Sequence, residues 1–552
     1  MKAPRLRGAA LKAFVAAIES PIGGPLIDKL LRDSGIDRFR ACDAGDASPM
    51  PPPLPHPDPL PETAHPNELC DRAAMLPEVA AHAELETVQR FQRAYASGID
   101  PQSVFSRLES AVARFDQEEK LAFFIARHPD EVARDAAASA ARHKERAPLS
   151  ALDGVPVVIK NEIDVKGFAS TLGTRFLTTP ADKDAVLVQR LRRAGAVIVG
   201  VGNMNEIGIN PIGLNPHWGT CRNPWDKSRI TGGSSSASAA TVAAGLCPIS
   251  IGADGGGSIR IPAALCGVVG LKATHGRVPE TGVPALCWNV GHAGPMGLTV
   301  ADVAAAYCVI AGRDEGDVAS WHQPPPSLEG IEQRSLRGVR LGICRPYFED
   351  ADKDVVARCQ ATVDACVGAG AIVVEVPAPD LNTILWSHSI TILSEMRTAM
   401  LRHIQEGVAR FGYDSRTNLA LATRFRSTDV MHALRHRHRL ARELFEVMRN
   451  VDAIVTPTTA MTAPPIPQEA LPDGESNLPV VDALMRFIRL ANLTGFPALS
   501  VPAGFDGQGL PVGVHLTGRP WEEHLLLRLG RVIEATTEVR RPRLHARLLT
   551  GS

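Results

Sequence analysis

The chain has 552 residues, of which 45% are hydrophobic and 22% charged, with a formal net charge of -1 at neutral pH. That balance belongs to a soluble globular protein and offers no basic surface to a nucleic-acid partner. No run of about 18 uninterrupted apolar residues occurs, so no helix is expected to cross a bilayer; the ten cysteines form no C-x-x-C pair and read as small core residues of a reducing compartment.

The first predicted element is amphipathic. In "MKAPRLRGAALKAFVAAIES", Leu11, Phe14, Val15 and Ile18 fall at i, i+3, i+4 and i+7, one face of a helix. Its basic opening is that of a signal peptide, but Lys12 interrupts the apolar run and no small-residue cleavage site follows, which favours a retained helix and a cytoplasmic location. "SPIGGPLIDKLLRDSG" then breaks the helix and starts another, with Leu26, Ile27, Leu30 and Leu31 apolar. The two predict a helical hairpin over residues 1–48, which either packs on the main body or serves as a lid or a membrane-surface foot. The run from Pro49 to Pro61, "PMPPPLPHPDPLP", predicts an extended linker over 49–70, with the main domain over 71–552. From about Thr87 to Glu145 the pattern is helical, through "TVQRFQRAYASG" and "DEVARDAAASAARHKE". Short β-branched runs follow: "VPVVIK", "AVIVGVG", "CPISIGAD", "GVRLGICR", "AIVVEVP", "DAIVTPT", "ALSVPAG" and "PVGVHLTG". They alternate with helical segments, which predicts an α/β fold with a large mixed β-sheet covered by helices on both faces.

Two turns among these elements carry candidate chemistry. "GADGGGSIRIPAALCGVVGLK", from Gly252 to Lys272, sets Gly255, Gly256 and Gly257 directly before Ser258. Such a run marks a sharp turn or a close approach to bare N–H groups. Upstream, "RITGGSSSASAATVAAGL" places Ser234 in a second glycine-serine turn that leads into an alanine-rich helix, and "GVPVVIKNEIDV" ends a buried-looking strand at Lys160. Singly these are an N-cap, a loop and a strand end. Together they suggest a Ser–Ser–Lys relay. A serine hydroxyl needs a base to become a nucleophile, and a lysine serves as that base only once it is neutral. Ser234 would bridge Lys160 and Ser258, and the N–H groups of Gly255, Gly256, Gly257 and Ser258 would face the oxyanion of a tetrahedral intermediate.

This combination resembles the amidase signature family. The motifs "GVPVVIKNEIDV", "NPWDKSRITGGSSSASAATVAAG" and "GADGGGSIRIPAALCGVVGLKATHGRVP" stand in the family's order, and "DAIVTPTTAMTAPPIP" and "ANLTGFPALSVPAGF" look like its C-terminal core. The resemblance runs from roughly residue 85 to 530 and implies Lys160 as general base, Ser234 as the serine of a cis peptide, and Ser258 as nucleophile. It also implies that Ser235, Asp254 and Arg260 support the loop. The sequence departs from the usual pattern at Thr231 (usually proline), at Ser236 and Ala237 (usually glycines) and at Asn161 (usually aspartate). Within the family the N-terminal stretch and "LMRFIRLANLTGFPA" look most like plant-type fatty acid amide hydrolases. That likeness implies cleavage of N-acylethanolamines or related long-chain acyl amides through an acyl-enzyme, without metal or cofactor, by a homodimer free in the cytoplasm or attached to a membrane surface by its hairpin.

Other readings have less behind them. A Ser-His-Asp site could draw on His217, His275 or His292, but no G-x-S-x-G elbow occurs. His432 and His436 have the i,i+4 spacing of metal ligands, yet Arg435, Arg437 and Arg439 interleave with them, which predicts a solvated basic face. "GVGNMNEIG" is no dinucleotide fingerprint; its Met204 and Ile207 are read either as acyl-pocket residues or as core. Within the resembling family, a broad aryl or primary amidase, an esterase and the transamidase component of a tRNA-dependent amidotransferase remain alternatives. A membrane-associated binding protein that keeps the fold without activity is disfavoured by the complete Lys160, Ser234, Ser258 set.

Overall fold

The computed structural model describes residues 5–21, 23–43, 66–79 and 82–550; the proline run 49–61 lies outside them. In chain order the strands are β1 Leu6–Arg7, β2 Phe124–Ala126, β3 Pro156–Lys160, β4 Val197–Gly202, β5 Ile249–Ala253, β6 Val269–Lys272 and β7 Ala293–Gly297. They continue with β8 Arg340–Ile343, β9 Ile372–Glu375, β10 Ala453–Pro457, β11 Glu475–Ser476, β12 Ala498–Phe505 and β13 Pro511–Gly518. β1 and β11 form a separate antiparallel ribbon, while the other strands make one 11-stranded sheet in the order β2-β4-β3-β5-β7-β6-β12-β13-β10-β8-β9. β4, β3 and β5 are parallel, as are β10, β8 and β9, and the middle is antiparallel.

All eight predicted runs are strands of this mixed sheet. β2, β6 and β7 were not predicted; β7 reads "AGPMG", whose glycines and proline are turn signals in isolation. Every residue of β3, β4, β5, β6 and β7 is buried, which is why these strands are apolar runs rather than alternating patterns. Two lysines are the exceptions, Lys160 at the end of β3 and Lys272 at the end of β6, charged in type yet only 1% and 0% exposed.

The helices used below are, in chain order, α1 Gly8–Glu19, α2 Gly23–Asp33, α3 Ile36–Ala41, α4 Pro66–Ala74, α5 Ser236–Ala243, α6 Arg260–Cys266, α7 Val300–Ile310, α8 Leu381–Ala399, α9 Tyr413–Leu421 and α10 Ser427–Met448. Residues 66–70, assigned to the linker from sequence, instead open α4, which buries Cys70 and Ala73 and packs on α7. All eight residues of α5 are buried. Its small side chains let it lie close on the sheet: a methyl at Gly202 would stand 3.1 Å from Ala237 Cβ.

The predicted N-terminal hairpin is an elbow. α1 and α2 bend by 110° at their break, and the short α3, not predicted, continues inward. Leu11 and Val15 are fully buried, and Ile18, Ile27, Leu31, Ile36 and Phe39 pack on Trp386 and Ile390 of α8 and Ala433 of α10. Ion pairs ring the contact, among them Lys12–Asp473 at 2.9 Å, Asp28–Arg424 and Arg40–Asp429. Surface pairs of this kind contribute about 0–1 kcal/mol each, so apolar burial dominates the attachment. No large apolar side chain of the described residues before 44 is exposed; these faces are committed to the body of the protein.

The basic stretch on α10 is not the solvated face expected. His436 and Arg437 are buried, the His436 ring lies 5.2 Å from Phe39, and Arg437 Nε donates to Leu493 O at 2.6 Å. Among the described residues no cluster could hold a metal ion, and no single helix is long and apolar enough to cross a membrane. All ten cysteines are free, and all but Cys42 and Cys287 are buried.

Candidate active site

Three segments meet at the C-terminal ends of the parallel strands β3 and β5, where open α/β sheets place their sites. β3 delivers Lys160, whose Nζ donates to Ser234 Oγ at 2.8 Å and to Ala253 O at 3.2 Å and pairs with the Glu162 carboxylate. Ser234 lies on the turn before α5, after a cis Gly233–Ser234 peptide. Ser235 N–H donates to Ser258 O at 3.3 Å and Ser235 Oγ to Ala253 O at 3.1 Å, so the serine turn is tied to the glycine loop. The departures from the family pattern are accommodated in place: Ser236 Oγ and Thr231 Oγ1 donate to Gly232 O at 2.9 and 2.8 Å, and the Asn161 amide bonds Ala169 O and Thr171 N–H.

The loop from Asp254 to Ser258 is held from behind by a buried web. Asp254 accepts two bonds from the Arg260 guanidinium at 3.0 Å, one from Asn492 at 2.9 Å, and the N–H groups of Gly257 and Ile259 at 2.6 and 3.1 Å. Arg260 also donates to Asn492 Oδ1 at 2.6 Å and to His515 Nε2 at 2.9 Å. Burial acts to raise the Asp254 pKa, but the Arg260 charge and these bonds hold it well below the usual carboxylate range. Burial and the Arg260 charge push Lys272, in the same region, well below its ordinary value.

The glycines are required by close approach. A methyl at Gly255 would lie 2.7 Å from Cys287 Sγ, and one at Gly256 2.7 Å from His388 Cε1. One expectation needs correction here: the Gly257 N–H is taken by Asp254 and cannot also face an oxyanion. Among the described residues no acceptor takes the N–H of Gly255, Gly256 or Ser258.

Ser258 and Gly256 line a cavity of about 460 Å³. Leu6 of β1, Phe14 of α1 and Leu30 and Leu31 of α2 also line it, as do Leu393 of α8 and Met485. Met204 and Ile207 do not line it. Met204 is fully buried, and Ile207 packs with Leu172, Met396 and Phe411 behind the wall; their neighbours Gly208, Ile209, Asn210 and Pro211 face the cavity instead.

Several residues escaped the sequence reading. Glu162 stands two positions after Lys160 in the quoted motif and was the one within reach. His388, whose Nε2 donates to Gly255 O at 2.9 Å and whose pKa burial lowers to about 4, comes from α8. Asn492 and His515 come from the C-terminal third. No local pattern marks these three, because tertiary packing brings them in.

The mixed sheet carries a buried Lys160–Ser234 pair, and beside it a glycine-serine loop opens Ser258 to a largely apolar cavity, an arrangement suited to a serine hydrolase. The chain belongs to the amidase family, whose sequence profile matches residues 107–527. It is 36% identical over 98% of its length to a fatty acid amide hydrolase of Arabidopsis thaliana, of which the match covers 94%. It is 35% identical over 83% of its length to one component of the glutamyl-tRNA(Gln) amidotransferase of Chloroflexus aurantiacus, of which 98% is covered. Among solved structures it resembles the peptide amidase of Stenotrophomonas maltophilia, with a TM-score of 0.72 and 28% identity over 84% of this chain and 98% of that one.

Proposed function

We propose that this hydrolase cleaves long-chain acyl amides, N-acylethanolamines among them, to a fatty acid and an amine through an acyl-enzyme on Ser258. The observation that carries the reading is the cavity itself: Ser258 opens into a space walled by the apolar side chains of the N-terminal helices, which an acyl chain would fill. The reach of the similarity supports it, since the plant match covers 98% of the chain and the amidotransferase match 83%.

In this proposal neutral Lys160 takes the Ser234 proton while Ser234 takes that of Ser258, and Ser258 Oγ adds to the carbonyl carbon. The oxyanion is met by the N–H groups of Gly255, Gly256 and Ser258. The C–N bond breaks as the proton returns through Ser234 to the leaving nitrogen, and water then repeats the cycle on the ester to release the acid. The Lys160–Ser234 contact of 2.8 Å supports the proton path. A bell-shaped pH dependence of kcat/KM centred near pH 6 would instead indicate histidine or carboxylate chemistry.

Assay of the purified chain on long-chain ethanolamides, aryl amides and short primary amides tests the reading, and the long-chain amides are expected to give the highest kcat/KM. Replacing Phe14 and Leu30 together by alanine removes acyl-facing surface worth about 1–2 kcal/mol per side chain. The double variant should lose roughly tenfold or more in kcat/KM on a long-chain amide and far less on a short one. Equal losses on both would make the helices structural packing only. Deleting residues 1–48 is a harsher test, because it also uncovers Trp386 and Ile390; the melting temperature should fall along with long-chain activity. Homodimer assembly and membrane-surface attachment belong to the same proposal, to be read by light scattering and by liposome co-sedimentation.

A further inference from the structure

The peptide groups that run from Asp254 to Ser258 are all trans, so in each of them the C=O and the N–H point in opposite directions. Three of these peptides carry the N–H groups that no described residue takes, those of Gly255, Gly256 and Ser258. In each of the three the carbonyl is held from behind. Asp254 O accepts Asn492 Nδ2 at 2.9 Å, Gly255 O accepts His388 Nε2 at 2.9 Å, and Gly257 O accepts the Ile261 N–H at 2.7 Å. The remaining peptide is held the other way round, by the Gly257 N–H, which Asp254 Oδ1 takes at 2.6 Å. A bond to a carbonyl therefore aims the N–H of the same peptide away from the bonding partner.

Two of these anchors have further partners: Asn492 also bonds the Asp254 and Arg260 side chains, and the Ile261 N–H belongs to the first turn of α6. Among the described residues the His388 ring bonds Gly255 O alone. His388 is 2% exposed and lies against the loop, where a methyl at Gly256 would stand 2.7 Å from Cε1 and 2.9 Å from Nε2. One turn further along α8, Ile392 Cδ1 would stand 3.2 Å from a methyl at Gly255. A carbonyl only accepts, so Nε2 carries the proton. The donor sits on a 19-residue helix packed along α10, a rigid support. Without its bond the peptide between Gly255 and Gly256 would be free to rotate, because glycine on both sides imposes little on the backbone angles. Gly256 lines the cavity together with Ser258. His388 lines it too, and a wall alone would bear on KM rather than on kcat.

Resting on the acyl-enzyme reading above, we propose that His388 is a positioning residue for the oxyanion: by holding Gly255 O it aims the Gly256 N–H at the oxygen that becomes negative when Ser258 Oγ adds to the carbonyl carbon. In this role the imidazole meets no substrate atom. Its bond is in place before the substrate arrives, so the N–H needs no reorientation as the charge develops.

The test uses the full-length protein, the amide that the wild type turns over best, and a trifluoromethyl ketone of the same acyl chain, to whose carbonyl carbon Ser258 Oγ adds to leave a hemiketal oxyanion. His388→Leu, which removes the donor, is expected to lower kcat by about 10- to 100-fold with KM within about threefold of wild type, because an oxyanion donor acts on the transition state. Its Ki for the ketone should rise by the factor by which kcat/KM falls. His388→Gln, whose amide brings a donor to a similar reach, should recover most of both losses. A kcat within about twofold of wild type in folded His388→Leu, a loss confined to KM, a ketone Ki that does not follow kcat/KM, or a His388→Gln no better than His388→Leu would overturn the assignment. If His388→Leu does not fold, His388→Asn, whose shorter amide stops short of Gly255 O, takes its place with the same expected losses. Failure of the underlying reading looks different: a wild type that hydrolyses no amide, or a Ser258→Ala protein with normal turnover, either of which removes the proposal with it.

Discussion

Ser258→Ala is expected to lower turnover of every amide substrate by about 10³-fold or more, because removal of the proposed nucleophile would leave only the binding and oxyanion contributions. The fold should survive. The change deletes one hydroxyl from a side chain that faces the cavity and leaves untouched the Asp254–Arg260 web that shapes the loop, so the expected stability change is within about 1 kcal/mol. Stopped assays with a long-chain and a short amide, paired with a urea melt, measure both effects. Normal turnover by a folded Ser258→Ala protein would place the nucleophile elsewhere.

Asp254→Ala is expected to have the largest effect on stability. It strips the carboxylate from an Arg260 side chain that is itself fully buried, and an uncompensated buried charge costs about 3–5 kcal/mol. It also frees the N–H groups of Gly257 and Ile259, so any folded fraction should be inactive because the loop that carries Ser258 has lost its shape. The urea midpoint and the residual kcat report the two losses separately. The pH dependence of this contribution has a definite sign. A carboxylate held below its unfolded pKa stabilises the fold above that value, about 3.9, and loses the contribution only as pH falls through the folded value. Asp254 lies well below the usual range, so its share of stability should be constant from about pH 5 upward. A wild-type to Asp254→Ala difference that shrinks between pH 5 and 8 would contradict the ion-pair account.

What was legible in the sequence follows from how locally each feature is encoded. Lys160, Ser234 and Ser258 stand in three short contiguous motifs, each with its own strand end or turn, so the meeting of these segments could be expected before any distance was known. The sheet was legible where strands are β-branched, as in β3 and β10, and illegible in β7, whose five residues include two glycines and a proline. The apolar faces of α1 and α2 were legible from helical spacing; the 110° elbow and α3 were not, because only the surface of α8 and α10 directs the chain there. His388, Asn492 and His515 reach the site from distant segments, with no local pattern to announce them. The Gly257 donor is a different lesson. Asp254 stands three residues before it, and an aspartate so placed can capture a backbone N–H in a turn; the expectation of four oxyanion donors overlooked that spacing.

The central claim is that Ser258 attacks carbonyl carbons delivered by acyl chains lodged in the cavity beneath the N-terminal helices. It is tested most directly by incubating the full-length protein with a long-alkyl fluorophosphonate and locating the adduct by peptide mass spectrometry. The account predicts one adduct per chain, on Ser258, formed faster with a long alkyl reagent than with a short one and absent from Ser258→Ala. An adduct on another residue, or none under conditions where amides are turned over, would contradict it.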